Sequence, residues 1–177
     1  MKTIKRNSLV FVCFVFLSAS SLTFGQDAPD LMDAEIASVA VVANQIDIDY
    51  AKVALKRSKN KDVLDFANRM IEDHFAVIKQ AVALVEKLGV NPKDNAVSQS
   101  LLSQAEATLT ALKEARKRDF DKVYINNEVA FHKAVIDAIN GLLIPQTDNA
   151  ELKDLLQAVV PALEVHLEHA KMTLNKI

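Results

Sequence analysis

The sequence predicts an all-α protein: a four-helix bundle of two antiparallel hairpins, with an extra short helix in the crossover connection. Three observations carry this. The 177 residues include only 3 Gly and 4 Pro, too few for the frequent turns that sheets need. Half the residues are apolar. Those apolar residues recur every three or four positions over long stretches, the period of a helix buried along one side.

The start of the chain reads as a targeting segment. "MKTIKRN" is cationic, "SLVFVCFVFL" is a short apolar run, and "SASSLTFG" supplies small residues before a polar "QDAPD". This is the layout of a secretory signal peptide, with cleavage expected after Gly25 and the bundle domain over 26–177. The run is short for a membrane span, which argues against an uncleaved anchor. The expected location is therefore outside the cytoplasm, in the periplasm or against the outer membrane, with no transmembrane span in the mature chain. Cys13, the only cysteine, lies inside the leader. The mature chain then has no thiol for a disulfide, a nucleophile or a metal. It carries 18 basic and 23 acidic residues, a balance that disfavours nucleic-acid binding.

The first helix is expected over 31–58, capped by Asp30 or Asp33, with Ile36, Ala40, Ala43, Asp47, Tyr50 and Ala54 on one stripe. "SKNKD" is a short connection, so the second helix, 61–88, should return antiparallel. Its inward positions include Val63, Phe66, Met70, His74, Val77, Ala81 and Leu84. Gly89 stands where a left-handed C-cap belongs, with Pro92 beyond. A shorter helix, 96–115, bears Val97, Leu101, Ala105, Leu109 and Leu112. The next, 117–143, bears Phe120, Tyr124, Val129, His132, Ile136 and Ile139; the junction near 116 is either a break or a bend. The last, 149–176, bears Leu152, Leu156, Leu163, His166, Ala170 and Leu174. Pro161 lies inside it, and a kink is expected there. Met70 and Met172 fit core packing better than copper binding.

Polar groups on these apolar stripes are the candidate site: Asp47, His74, His132 and His166. In an antiparallel hairpin, residues equidistant from the turn share a level. Asp47 and His74 straddle the first connection almost symmetrically, and His132 and His166 straddle the connection at 145–149 in the same way. Face-to-face packing of the hairpins would gather one carboxylate and three imidazoles. Glu128, one turn before His132, would join them or orient that ring, and His169 lies at the edge of the face. Such a set suits a transition metal: Zn, Cu, Ni or Fe. The competing reading makes each histidine a core residue bonded to a carbonyl, a tyrosine or a carboxylate. Asp73 reads first as a surface acid, with a contact to a neighbouring helix as the alternative. No phosphate-binding loop and no nucleophile elbow appears.

Three stretches, "DIDYAKVALKRSKNKDVLDFANRMIEDH", "FDKVYINNEVAFHKAV" and "VVPALEVHLEHA", resemble the secreted, ferritin-like bacterial family called domain of unknown function 4142, often labelled "predicted outer membrane protein". The resemblance implies a ferritin-like bundle exported from the cytoplasm and implies no settled activity. Ferritin-like carboxylate enzymes use a Glu-x-x-His on each of two helices. Here Ile71, Val129 and Leu163 stand three residues before His74, His132 and His166, so a di-iron centre is not expected. Asp47 stands where relatives carry Glu. The functional expectation is a non-enzymatic envelope bundle that holds a metal through interior histidines. A purely structural or interaction module with an envelope partner comes second, and a metal-dependent redox enzyme third. The same apolar stripes would also serve a homo-oligomer interface.

Overall fold

The computed structural model describes residues 29–177, all of it helix and connection with no strand among these residues. The leader expected over 1–25 lies outside the described residues. Five helices follow in order: α1 (Asp33–Arg57), α2 (Lys61–Leu88), α3 (Ala96–Glu114), α4 (Phe120–Ala138) and α5 (Ala150–Leu174). None of the described helices is long and apolar enough to cross a membrane.

The ends are set by local chemistry. Asn60 caps α2 by accepting the Asp62 and Val63 amides, and Asn95 caps α3 through Val97 and Ser98. Gly89 closes α2 at φ 64°, a conformation that costs a side-chain-bearing residue and not glycine. Asp33 does not cap α1, contrary to expectation. Its carboxylate accepts the amides of Asp148 and Asn149 at 3.0 Å each, tying the α4–α5 connection to the start of α1. The chain breaks between α3 and α4 at Ala115, which leaves helical geometry at φ −51° and ψ 137°. Arg57 holds this break: its guanidinium donates to the carbonyls of Leu112, Lys113 and Ala115 and lies 4.9 Å from the Phe120 ring centroid. Donors at the end of α3 satisfy carbonyls that have no partner within the helix.

The end of α4 departs from the simple pattern. Residues Ile139–Leu143 form a π-helical turn, with the Ile144 amide bonded to the Ile139 carbonyl, and one α-turn, Ile144–Gln146, follows. Pro145 has no amide to give the carbonyl four residues back, which weakens the α ladder just here. The π turn admits one surplus residue, and it buries Ile139, Leu142 and Leu143 together. α5 stays helical through Pro161.

α1 packs most extensively on α2, and α4 on α5; α2 also meets α5, and α1 meets α4 and α3. Cross-links at the ends fix directions. Asn95 bonds the Glu35 carbonyl while Arg57 bonds the end of α3, so α3 runs parallel to α1. Lys87 pairs with Glu151 and Lys176 with Asp62, so α5 runs antiparallel to α2. α3 thus carries the chain the length of the bundle before α4 begins. Two apolar clusters result. One, nearer the 58–60 connection, holds Phe66, Met70, Leu112, Phe120 and Tyr124. The other, at the opposite end, holds Ile36, Leu142, Leu143, Leu152 and Leu156. Met70 is fully buried as expected, whereas Met172 is exposed: Thr173 takes the inward place at that level.

Candidate metal centre

Between the two apolar clusters lies a polar layer. Asp47 on α1, His74 on α2, Glu128 and His132 on α4 and His166 on α5 are all buried, Asp47 and Glu128 completely. Ring centroids lie 5.6 Å apart for His74 and His132, 5.2 Å for His74 and His166, and 5.5 Å for His132 and His166. One nitrogen from each of the three rings falls within 4.8 Å of the others. Asp47 Oδ2 sits 3.4 Å from His74 Nε2 and 3.5 Å from His132 Nε2. The equal heights follow from helix rise: residues matched about a tight turn stay matched along straight, antiparallel rods.

Each ring is held from outside by an acceptor, and that fixes which nitrogen bears the proton. His74 Nδ1 donates to Asn44 Oδ1 at 2.7 Å. His132 Nδ1 donates to the Glu128 backbone carbonyl at 2.9 Å. His166 Nε2 donates to Asp73 Oδ2 at 2.9 Å. The remaining nitrogens, His74 Nε2, His132 Nε2 and His166 Nδ1, are therefore bare lone pairs, and all three are buried with no hydrogen-bond partner. Three acceptors gathered in one layer cannot satisfy one another. Both oxygens of Asp47, both of Glu128 and the Tyr124 hydroxyl are likewise buried without a partner. A single orphaned buried polar group costs about 1–3 kcal/mol. A cluster of this kind is tolerated where a bound species completes it.

The electrostatics favour the ligating form of each imidazole. Burial pushes the His74 pKa down to about 3, helped by His132 and His166, and burial likewise pushes His132 down to about 4. His166 is lowered too, by burial, against the pull of Asp73. The rings stay neutral at ordinary pH, and neutral imidazole binds metals. The carboxyls move the other way. Burial raises Asp47 to about 7 and raises Glu128 well above the usual range, with the charge of Asp47 adding to the effect on Glu128. Both wait for a proton or a cation. Asp47, Glu128 and His132 form a second grouping within 4.8 Å, sharing His132 with the first. These buried groups could hold a metal ion, and three imidazoles with one carboxylate make a four-ligand set.

All four residues singled out from the sequence meet here, with Glu128 as a fifth. The Glu128 backbone orients His132 while its side chain turns to Asp47. His169 stands apart: one turn further along α5, its ring packs edge-on against Phe66 at 5.1 Å. Two residues were missed as orienting groups. Asp73, read as a surface acid, holds His166 and also lies 3.5 Å from Arg69. Asn44 holds His74 from one turn before Asp47. The signal for Asn44 was its i,i+3 relation to a buried acid. For Asp73 it was its place beside His74, where it reaches across to the next helix.

An all-α bundle with a histidine–carboxylate layer in its interior is the class of protein that fold and site define. The model for the family described as Domain of unknown function (DUF4142) matches residues 20–173, and the chain belongs to that family. A crystal structure of a DUF305 fragment from Deinococcus radiodurans superposes with a TM-score of 0.70 over 84% of this chain and 100% of that one, at 15% sequence identity. At that identity the likeness is one of fold alone. No curated protein sequence matches the chain.

Proposed function

We propose that this is an exported, ferritin-like envelope bundle whose interior holds a divalent transition metal on His74, His132, His166 and Asp47. One observation carries the reading: three buried imidazoles offer a nitrogen each within 4.8 Å of one another, each ring has a nitrogen without a partner, and the Asp47 carboxylate beside them has none either. Histidines kept as core hydrogen-bonding groups would use both nitrogens, and these use one each. Nitrogen-rich ligation without thiolates or methionine favours Zn(II) or Cu(II) over harder ions, and Ni(II) and Fe(II) follow. The ferritin-like topology is supported by the mutual directions of α1, α2, α4 and α5 and by α3 returning the chain between hairpins. The absence of any Glu-x-x-His at these histidines keeps the reading away from di-iron chemistry. The targeting layout of residues 1–25 supports an envelope location.

The test uses the mature chain, untagged and purified without chelator. Bound metal is measured by elemental analysis, and melting is followed with Zn, Cu, Ni or Fe added. A hundredfold excess over the dissociation constant stabilises the fold by about 2.7 kcal/mol. Substituting His74, His132 or His166 should abolish that shift. A wild-type chain indifferent to all four metals would return these histidines to a structural role. Iron-dependent oxygen consumption would instead revive the redox reading.

A further inference from the structure

Directly against the histidine layer lies a cavity of about 450 Å³, inside the range of small-molecule sites, about 300–1,000 Å³. Protein interiors close-pack and leave few voids larger than a water. This space exists because alanines stand where larger side chains would fill it: Ala40 and Ala43 on α1, Ala81 on α2, Ala105 on α3 and Ala138 on α4. Its two ends differ. At one end are Asp47 and the three histidines; at the other are Leu142, Leu143, Leu152, Leu156 and Val159. His132 and Leu142 are ten residues apart, so the cavity extends about 15 Å along the bundle at the helical rise. Ala76 and Gln80 of α2, Gln104 of α3, Ala134 of α4 and Ala162 of α5 line it and are exposed, so the cavity reaches solvent between the helices.

A long apolar space with one polar end matches an amphiphile. The polar end decides the head group. Of the carboxyl groups, Asp47 and Asp73 line the cavity and Glu128 does not; Asp73 is already paired with His166 and Arg69, so a divalent ion held by three neutral imidazoles and Asp47 keeps surplus positive charge on the cavity side. The head group that suits this is an anion able to ligate. We propose that the cavity binds an aliphatic carboxylate of medium or long chain, with the chain along the alanine and leucine walls and the carboxylate on the metal. This rests on the metal reading above.

The experiment separates the two. The full mature chain is prepared metal-free and loaded with Zn(II), or with Cu(II) if zinc is not taken up, and the metal content of each sample is measured. Dodecanoate is titrated by calorimetry, with 1-dodecanol and dodecylamine as chain-matched controls. The loaded protein should bind dodecanoate at least about tenfold more tightly than the alcohol, and at least about tenfold more tightly than the metal-free protein binds dodecanoate. Ala138→Phe, which fills the space two turns from His132, should weaken dodecanoate binding by a similar factor while metal content is retained. Ala138→Leu covers the case of a phenylalanine variant that fails to fold, and should discriminate against hexadecanoate more than against octanoate. Loaded protein that ignores dodecanoate, or binds it no better than metal-free protein, overturns the proposal and leaves the metal site standing. A chain that takes up neither metal overturns both, and the elemental analysis shows which has failed.

Discussion

The two halves of the bundle are built from different materials. The half nearer the 58–60 connection is aromatic and filled: Phe66, Phe120 and Tyr124 are fully buried, and Phe66 meets the Tyr124 ring edge-on at 6.1 Å. The other half is aliphatic and hollow, with leucines and alanines around the cavity. The polar layer divides them. The contrast teaches that dense packing and open space are housed separately, stacked along one axis. The filled half supplies dispersion contacts at close packing. The hollow half gives some of that up to keep a space.

Truncating each half should expose the difference most strongly. Phe66→Ala should cost about 3–5 kcal/mol in denaturant unfolding, because a dense aromatic environment cannot collapse around the loss. Leu156→Ala, at the edge of a space already present, should fall at about 2 kcal/mol, the low end for its type. Equal costs would mean that the two halves are packed alike.

The dividing layer gives the next effect. His132→Leu should remove the metal-dependent stabilisation of about 2.7 kcal/mol at hundredfold excess. The metal-free variant should stay within about 1 kcal/mol of wild type, since the substitution removes an orphaned nitrogen along with one hydrogen bond. A metal-free variant that melts far lower would show that the imidazole is structural.

A pH series sharpens the role of Asp47. Its pKa is raised in the fold from 3.8 to about 7, so its contribution is complete below the unfolded value and fades as pH rises through about 7. Asp47→Asn is neutral throughout. Metal-free Asp47→Asn should therefore gain on wild type progressively between about pH 4 and pH 7. The histidines, whose lowered pKa values make stability fall as pH drops below 6.5, are present in both proteins, and Glu128, which the Asp47 charge helps to raise, loses that push in the variant, which adds to the gain on the same side. A difference flat across that window would refute a buried, proton-hungry Asp47. The smallest effect belongs to the helix ends, which both halves share: Asn60→Ala should cost about 1 kcal/mol by equilibrium unfolding, from two amides left without their acceptor.

The helices were legible because a buried face imposes its period on the sequence, and α2 from Val63 to Ala81 shows it plainly. The level of the site was legible too, since the tight α1–α2 turn fixes Asp47 against His74. What escaped were features decided between helices. Asp73 is polar and partly exposed, and nothing in its own helix says that its oxygen meets a ring on α5. Asp33 looks like a cap for its own helix and serves the connection before α5 instead. The alanines read as core contacts, because periodicity reports which side a residue faces and says nothing of the distance to its neighbour. The π turn left only the hint of Gly141 and Pro145.

That turn has a consequence for how the two histidines of the second hairpin are aligned. A π turn takes up one surplus residue locally, so the α winding on either side keeps the phase it would have without it. Ile139, Leu142 and Leu143 stand at i, i+3 and i+4 and share the inward face, and α5 starts beyond the short connection that follows. Deleting one residue from 139–143 should therefore convert the π turn to regular α-helix while His132 and His166 keep their mutual placement. The five-residue turn works as slack taken up between two rods, and the alignment of the rings is insulated from it.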